Sequence, residues 1–574
     1  MESTLPQVMS TSELAPVHEG SATPCSQQTV VLTKQAYIQL KWEAHDWRRQ
    51  HERLVEREAA LKAAVEALQA TIRDLNQRLY GAKSEQSAAS DSTGESKPAN
   101  ARKRGQQPGS QGHGRSDRCA LPVVAEVHDL SEAAKHCPAC GKAFLPFPGT
   151  DESSSIEVQV QTPIRRIQRK RYQKACQCPQ VAGIITAPPA PRLIPKSPLG
   201  VSVWTRILLD KYRYGRPTHR CCEELWYHGL PLAPGTITDG LRRIAGLFEP
   251  MMPALHKRQM GEKLFHGDET RWEVCEKVEG KTGHRWDLWV LQSASVVFYR
   301  MAPGRGADVP TAHFAGLQRD LLEVVLVCDR YSAYKCLAKG CDVRILAYCW
   351  AQVRRDFLKA ARRWPELENW MWAWVDDIRA LYCVNAARLE AWDDTLPLAQ
   401  QSAAFVEHQR ALESQLGQMQ TRFETHLQEK ALPLAKAKVL TSLHNHWDGL
   451  TVFVERPAVA MDNNAAERAL RNPVVGRKNS YGSGSVWSAH LAAMMFSVLQ
   501  TVLLWGLNPH QWLSAFLQAC ADNGGKSPAD LSAFLPWQMT PERRAEFAQP
   551  VPVTRSPCAS ASQERGDPVA ADTS

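Results

Sequence analysis

Long hydrophobic runs are scarce in this chain. The longest, Leu491 to Leu507, is interrupted by Ser497, Gln500 and Thr501, which argues for a buried helix and against a membrane span. The opening residues, MESTLPQVMS, lack a basic stretch followed by an apolar core, so no secretory signal is expected. Paired cysteine spacings are also rare. Of 16 cysteines, Cys275, Cys328, Cys349, Cys383 and Cys520 stand singly in apolar segments. That is the pattern of buried free thiols in a reducing compartment, and it excludes a disulfide scaffold. A cytoplasmic protein is expected. Net charge is small as well, +9 over 574 residues, and by itself only a weak pointer to an acidic polymer as partner.

What is there falls into blocks, about three or four modules by length. Residues 1–35 are polar and patternless. Over residues 36–80, Leu40, Trp47, Leu54, Leu61, Leu68 and Leu75 recur every seven residues, with Val65, Ile72 and Leu79 at the second seam position. This predicts a coiled-coil helix and self-association. Residues 81–118 are a basic Gly-, Pro- and Gln-rich linker that cannot bury a core. Residues 119–187 read as a small cysteine-bearing module, and 199–255 as helices with a helix-turn-helix-like passage turning at Gly235-Thr236. Strand-like runs follow at Lys263–Phe265, Trp286–Leu291, Ser295–Arg300, Glu323–Cys328 and Val343–Tyr348. They open an α/β block over 260–505, interrupted by a helical stretch at 354–450. A helical segment at 506–545 and a Pro-, Ala- and Ser-rich tail at 546–574 complete the chain.

Cys137-Pro-Ala-Cys140-Gly is a knuckle, whose two-residue gap presents both thiolates to one tetrahedral zinc while Gly141 relieves the bend. Its expected partners are Cys176 and Cys178, with His136 and Cys119 as substitutes. Between the pairs, six of the ten residues Arg165–Lys174 are basic and none is acidic. Arg165, Arg166, Arg169, Lys170 and Arg171 are therefore expected to contact DNA phosphates.

Three acidic sites carry the chemistry. Asp268 follows LFHG and Asp329 follows EVVLVC, each after a short apolar run as if at a strand end. Glu269, adjacent on a strand, is expected to point away from Asp268. Asp462-Asn463-Asn464 offers a helix N-cap, Glu467 lies in the first turns, and Arg471 falls four residues on along the same face. Arg468, Arg471, Arg477 and Lys478 followed by Gly482 and Gly484 read as a basic helix feeding a flexible, phosphate-accommodating loop. Three separated carboxylates gathered by a fold are what two divalent cations need for attack on a phosphodiester. Asp462 stays open as a rival for the third position.

The chain resembles bacterial DDE transposases of the insertion sequence 66 family. The likeness is carried by RLYGAKSE, GQQPGSQGHGR, CPACG, KYRYGRPTHRCCEELWYHGL, GDET, CDRYSAY, CWAQVRRDF, DNNAAERALRNPVVGRKNSYGSGS and LPWQ, in that order. The resemblance implies an α/β fold: a ribonuclease-H-like catalytic domain over 260–505 with a large helical insertion at 354–450, preceded by the coiled-coil helix and zinc module. It implies Asp268, Asp329 and Glu467 as ligands of two Mg2+ ions, with Mn2+ as the alternative metal. The implied activity is cleavage and strand transfer at the ends of an insertion sequence. Arg354, Arg355, Arg468, Arg471, Arg477 and Lys478 would track the DNA backbone. Expected partners are element ends, target DNA, further copies of the chain and accessory proteins of the same element, with a nucleoid location. One departure stands out: Gln352 occupies the place of a family histidine, and glutamine cannot titrate near neutrality. A catalytically impaired DNA-binding regulator is therefore the alternative reading.

Overall fold

The computed structural model describes residues 33–80, 129–145 except 137, 160, 162–173, 175, and 184–548 except 278, 280–283, 318–322, 341–344 and 431. The chain divides into two compact units, residues 1–88 with 362–364 and the remainder. In the first, α1 (Lys34–Tyr80) is a single helix of 47 residues. It contains neither Gly nor Pro and is rich in Ala, Leu, Glu and Arg, so propensity sustains it. Leu40, Trp47, Leu54, Leu61, Leu68 and Leu75 lie exposed along it.

The second unit is mixed α/β, mostly helical around a small mixed sheet. It begins with a short hairpin, β1 (Arg171–Gln173) antiparallel to β2 (Ile184–Thr186). Four helices follow: α2 (Val201–Tyr212), α3 (Thr218–Tyr227), α4 (Pro234–Ile244) and α5 (Met251–Gln259). The turn between α3 and α4 does not fall at Gly235-Thr236. Gly229 makes it, with φ +78°, and Pro234 starts α4 at the position where a missing N–H costs nothing.

Five strands form the sheet: β3 (Leu264–Glu273), β4 (Arg285–Gln292), β5 (Val297–Ala302), β6 (Val325–Cys328) and β7 (Ile345–Tyr348), with α6 (Asp308–Phe314) and α7 (Ser332–Gly340) between. Their spatial order is β5-β4-β3-β6-β7. The first three are antiparallel neighbours, while β6 runs parallel to both β3 and β7. Every expected strand is present, but β3 is ten residues long where a three-residue apolar run was visible.

Alternation along the strands builds two cores. One face presents Trp272, Leu288, Val290 and Tyr299 to a large cluster with α2, α4 and the helices of residues 464–522. The other presents Phe265, Trp289 and Leu291 to Phe314, Tyr334 and Leu337 of α6 and α7. The helical stretch after β7 comprises α8 (Trp350–Arg363), α9 (Glu368–Glu390), α10 (Ala403–Leu427), α11 (Leu434–His444) and α12 (Trp447–Glu455). Arg388, fully buried on α9, donates to the Phe453 and Val454 carbonyls at 2.9 and 3.0 Å. These are last-turn groups of α12 that lack partners within their own helix.

Then come α13 (Asn464–Ser480), α14 (Val486–Leu504), α15 (Pro509–Asp522) and α16 (Pro541–Glu546). By length and composition α14 is apolar enough to cross a membrane, yet most of it is buried within the unit. The polar residues that interrupt it have structural work. Ser497 and Thr501 hydroxyls accept from the backbone N–H groups of Tyr299 and Val297 at 2.8 and 3.1 Å, covering the outer edge of β5. At the opposite edge Gly449 of α12 lies so close to β7 that a Cβ there would come 2.4 Å from the Tyr348 ring. Of the expected buried thiols, Cys328, Cys349 and Cys520 are buried, whereas Cys275 and Cys383 are exposed.

Candidate functional site

Asp268 lies inside β3, opposite Val290 of β4, and not at a strand end. What ends there is its second neighbour. The parallel register pairs His266 with Val327, and extending it by two residues brings Asp329, just past the end of β6, level with Asp268. Alternation sends Asp268 to the same face as His266 and Trp272, the face covered by α13. Glu269 points to the other side, as expected. There it accepts from the Tyr334 hydroxyl (2.7 Å) and from Arg305 Nε (2.7 Å), and Arg305 stacks 3.8 Å over the Tyr331 ring.

The start of α13 is fastened to β3 by Asn463, which is 1% exposed. Its amide donates to the Gly267 carbonyl at 2.7 Å, and its side-chain oxygen lies 3.3 Å from His266 Nδ1. Its backbone N–H points to the Cys349 sulfur at 3.3 Å. Asn463 therefore does not cap the helix with its side chain; Asp462 fills a local role instead, accepting from the Asn464 N–H at 3.0 Å. Sequence reasoning missed this clamp, because an Asn before a helix signals a cap equally well. Asn463→Ala should cost about 2 kcal/mol of stability, since it strips the Gly267 carbonyl of its buried partner. Asn463→Asp should cost more, because a carboxylate cannot donate there. Urea denaturation of the two variants checks both.

With α13 fixed, Glu467 in its first turn reaches the acidic neighbourhood. The electrostatics register the gathering. Burial pushes the Asp268 carboxyl up to about 7, and the negative charges of Glu269, Asp329 and Glu467 add to the rise. Burial also raises Glu269, against the help of Tyr334 and Arg305, and it lowers His266, favouring the neutral ring. Each carboxylate of the trio meanwhile has a protein partner. Asp268 accepts from the Glu269 N–H and Asp329 from the Tyr331 N–H, both at 2.9 Å, and Glu467 pairs with Arg355 of α8 at 2.5 Å. Among the described residues no group of three His, Cys, Asp or Glu side chains stands arranged to hold a metal ion.

The basic residues are distributed unevenly. Arg165, Arg166, Arg169, Lys170 and Arg171 are exposed on and before β1, with Arg169 donating to the Ala187 carbonyl at 2.6 Å. Arg468, Arg471 and Lys478 are exposed on α13, and Arg354 is half-buried on α8. Two others differ from expectation. Arg355 neutralises Glu467. Arg477 donates to the Thr270 hydroxyl at 3.0 Å and to the Arg271 carbonyl. Nor is the loop after α13 loose. Ser483 exchanges backbone hydrogen bonds with Glu273 and Cys275 (2.8 and 3.0 Å), and its hydroxyl accepts from the Trp272 indole at 3.0 Å. Gln352 is half-buried in the first turn of α8. Cys137, Cys176 and Cys178 lie outside the described residues, as does Cys119. Cys140 is exposed in a turn where Gly141 has φ +71° and His136 bridges to Ala143.

Asp268 on β3 and Asp329 just past β6 thus lie on a mixed sheet beside α13, whose Arg468, Arg471 and Lys478 are exposed. Residues 196–491 match the family described as "Transposase IS66 family", and the chain belongs to that family of DNA-acting enzymes. Its relatives include two proteins of Sinorhizobium fredii (strain NBRC 101917 / NGR234). Uncharacterized protein y4hP is 24% identical over 423 residues, covering 70% of this chain and 73% of the relative. Uncharacterized protein y4jD is 24% identical over 438 residues, covering 73% and 81%. No solved structure matches the chain.

Proposed function

We propose that the chain cleaves and joins DNA at the ends of its insertion sequence, with Asp268, Asp329 and Glu467 as the ligands of two Mg2+ ions. The observation that carries this reading is geometric: the β3–β6 register sets Asp329 level with Asp268, and α13, clamped to β3 through Asn463, carries Glu467 in its first turn. The sheet supports a ribonuclease-H-like core: three antiparallel strands, two parallel ones, and acidic residues on the first and after the fourth. The donor set fits, being all carboxylate oxygen, as hard divalent cations prefer. Bound there, the ions would lower the pKa of a water or 3′-hydroxyl and stabilise the leaving oxygen.

The protein's own part is positional. Asn463 keeps the start of α13, and with it Glu467, beside β3. Arg355, freed when Glu467 turns inward, takes a phosphate oxygen. Arg468, Arg471 and Lys478 follow the strand, and the β1 hairpin with its five basic residues grips DNA elsewhere. Cys137, Cys140, Cys176 and Cys178 hold a structural zinc, a reading supported by the turn at Cys140-Gly141. The exposed heptad stripe of α1 pairs with a second copy, because a single helix with an apolar stripe in water needs a partner. Such a protein works in the cytoplasm at the nucleoid, alongside accessory proteins of the same element.

Gln352 favours the second reading, a DNA-binding regulator without catalysis. A nicking assay on DNA carrying the element's ends separates the two. Mg2+-dependent cleavage is expected, abolished by EDTA and restored by Mn2+. Tight, end-specific binding with no cleavage in either metal would establish the regulator instead.

A further inference from the structure

Two motifs singled out in the sequence, KYRYGRP and GRKNSYGSG, are spent by the catalytic reading only in part, and the fold brings them together. The loop after α2 crosses the C-terminal half of α13. Asn472 donates to the Tyr212 carbonyl at 2.8 Å and Asn479 to the Gly215 carbonyl at 2.9 Å. The crossing is backbone on backbone: a Cβ on Gly215 (φ +66°) would lie 3.2 Å from the Gly476 Cα. At this junction two aromatic rings face solvent, Tyr214 at 59% and Tyr481 at 81% exposure.

Neither ring is there through looseness. Tyr214 precedes the pinned Gly215. Tyr481 has φ +59°, a left-handed conformation that strains a bulky side chain and suits Gly or Asn better, and the loop beyond it is tied to β3 through Ser483. A costly backbone that displays a tyrosine to water calls for something to meet the ring. The surroundings say what. Arg471 and Lys478 are exposed on the same helix and form no ion pair among the described residues. Cations beside open aromatic faces are the two elements that bind single-stranded nucleic acid, one for phosphates and the other for bases. A base inside a duplex has no free face, so the ligand must be unstacked.

We propose that the Tyr212–Pro217 loop and the end of α13 form one surface that stacks an unpaired DNA base on Tyr214 and Tyr481. The inference rests on the DNA reading above and adds to it a preference for frayed or single-stranded ends.

The test uses the full chain and two short DNAs, one blunt and one with a short unpaired 3′ end carrying the fluorescent analogue 2-aminopurine. The unpaired end should bind about tenfold tighter and its fluorescence should be quenched, as expected for stacking of one base. Tyr214→Ala and Tyr481→Asn should each remove most of that preference, by about fivefold or more, and relieve the quenching. Asn keeps the left-handed turn while deleting the ring. Blunt-end affinity should not change, and Tyr214→Phe and Tyr481→Phe should behave as wild type. Unaltered discrimination in the Ala and Asn variants overturns the inference, as does a Phe variant that fails like them. If the wild-type chain binds neither DNA, the DNA reading itself has failed; if it binds both equally, only the stacking surface has.

Discussion

Asp268→Asn is expected to abolish strand cleavage and, in the metal-free protein, to make the fold more stable at neutral pH. Both effects follow from one environment. In the folded chain the Asp268 carboxyl is held up to about 7 by burial and by the charges of Glu269, Asp329 and Glu467, well above the ordinary value of 3.8. A raised carboxyl pKa means that the folded state prefers the proton. The penalty for the charged form is absent below the unfolded value, grows as pH rises, and is complete above the folded one. Asparagine removes that penalty and keeps the side-chain oxygen that accepts from the Glu269 N–H. The stabilisation should therefore be close to zero near pH 4 and on the order of 2–4 kcal/mol at pH 8. Thermal unfolding across that range, in EDTA, measures it. A variant that is inactive yet no more stable at pH 8 would mean that Asp268 is not strained by its neighbours, and the convergence argument would fall.

The second large effect is expected at Gly482. Its φ of +117° is closed to other residues, and a Cβ there would stand 2.2 Å from the Glu273 carbonyl oxygen. Gly482→Ala must therefore shift backbone, and the first bonds to go are those joining Ser483 to Glu273, Cys275 and Trp272. Strain together with two or three lost hydrogen bonds should cost about 3–5 kcal/mol. Two residues away, Gly484 has nothing within 4 Å of its would-be Cβ, so Gly484→Ala should be nearly neutral. Paired urea titrations test the contrast; equal losses would show that the loop is not anchored at Gly482.

How far the sequence could be read depended on how locally each feature is determined. The apolar runs of β4 and β6 were legible because burial on both faces leaves little room for polar residues. Those of β5 and β7 were legible as short apolar runs even where only partly buried. The second half of β3 was not. Asp268, Glu269, Thr270 and Arg271 look like a turn, and become strand only because Asn463 and α13 on one face, and Arg305 and Tyr334 on the other, surround them. Gly235 misled for the opposite reason: Pro234 starts a helix there, and a glycine in its first turn is tolerated. Among site residues, the settings of Asp329 just past a strand and of Glu467 in a first helical turn were legible, whereas Asp268 lies inside β3 and not at its end. The attachments of Arg355 and Arg477 were not, since an arginine in a basic run looks the same whether it meets phosphate, a carboxylate or a carbonyl. Asn463 was the costliest omission, because its partners lie almost 200 residues away in the chain.

The hydroxyls of Ser497 and Thr501 have a consequence for how copies of the chain can join. By occupying the Val297 and Tyr299 amides of the outermost strand they remove much of the ladder on which a foreign strand could extend the sheet, and on the far side α12 packs closely against β7 at Gly449. Joining of copies by extension of this five-stranded sheet is therefore disfavoured at both of its edges.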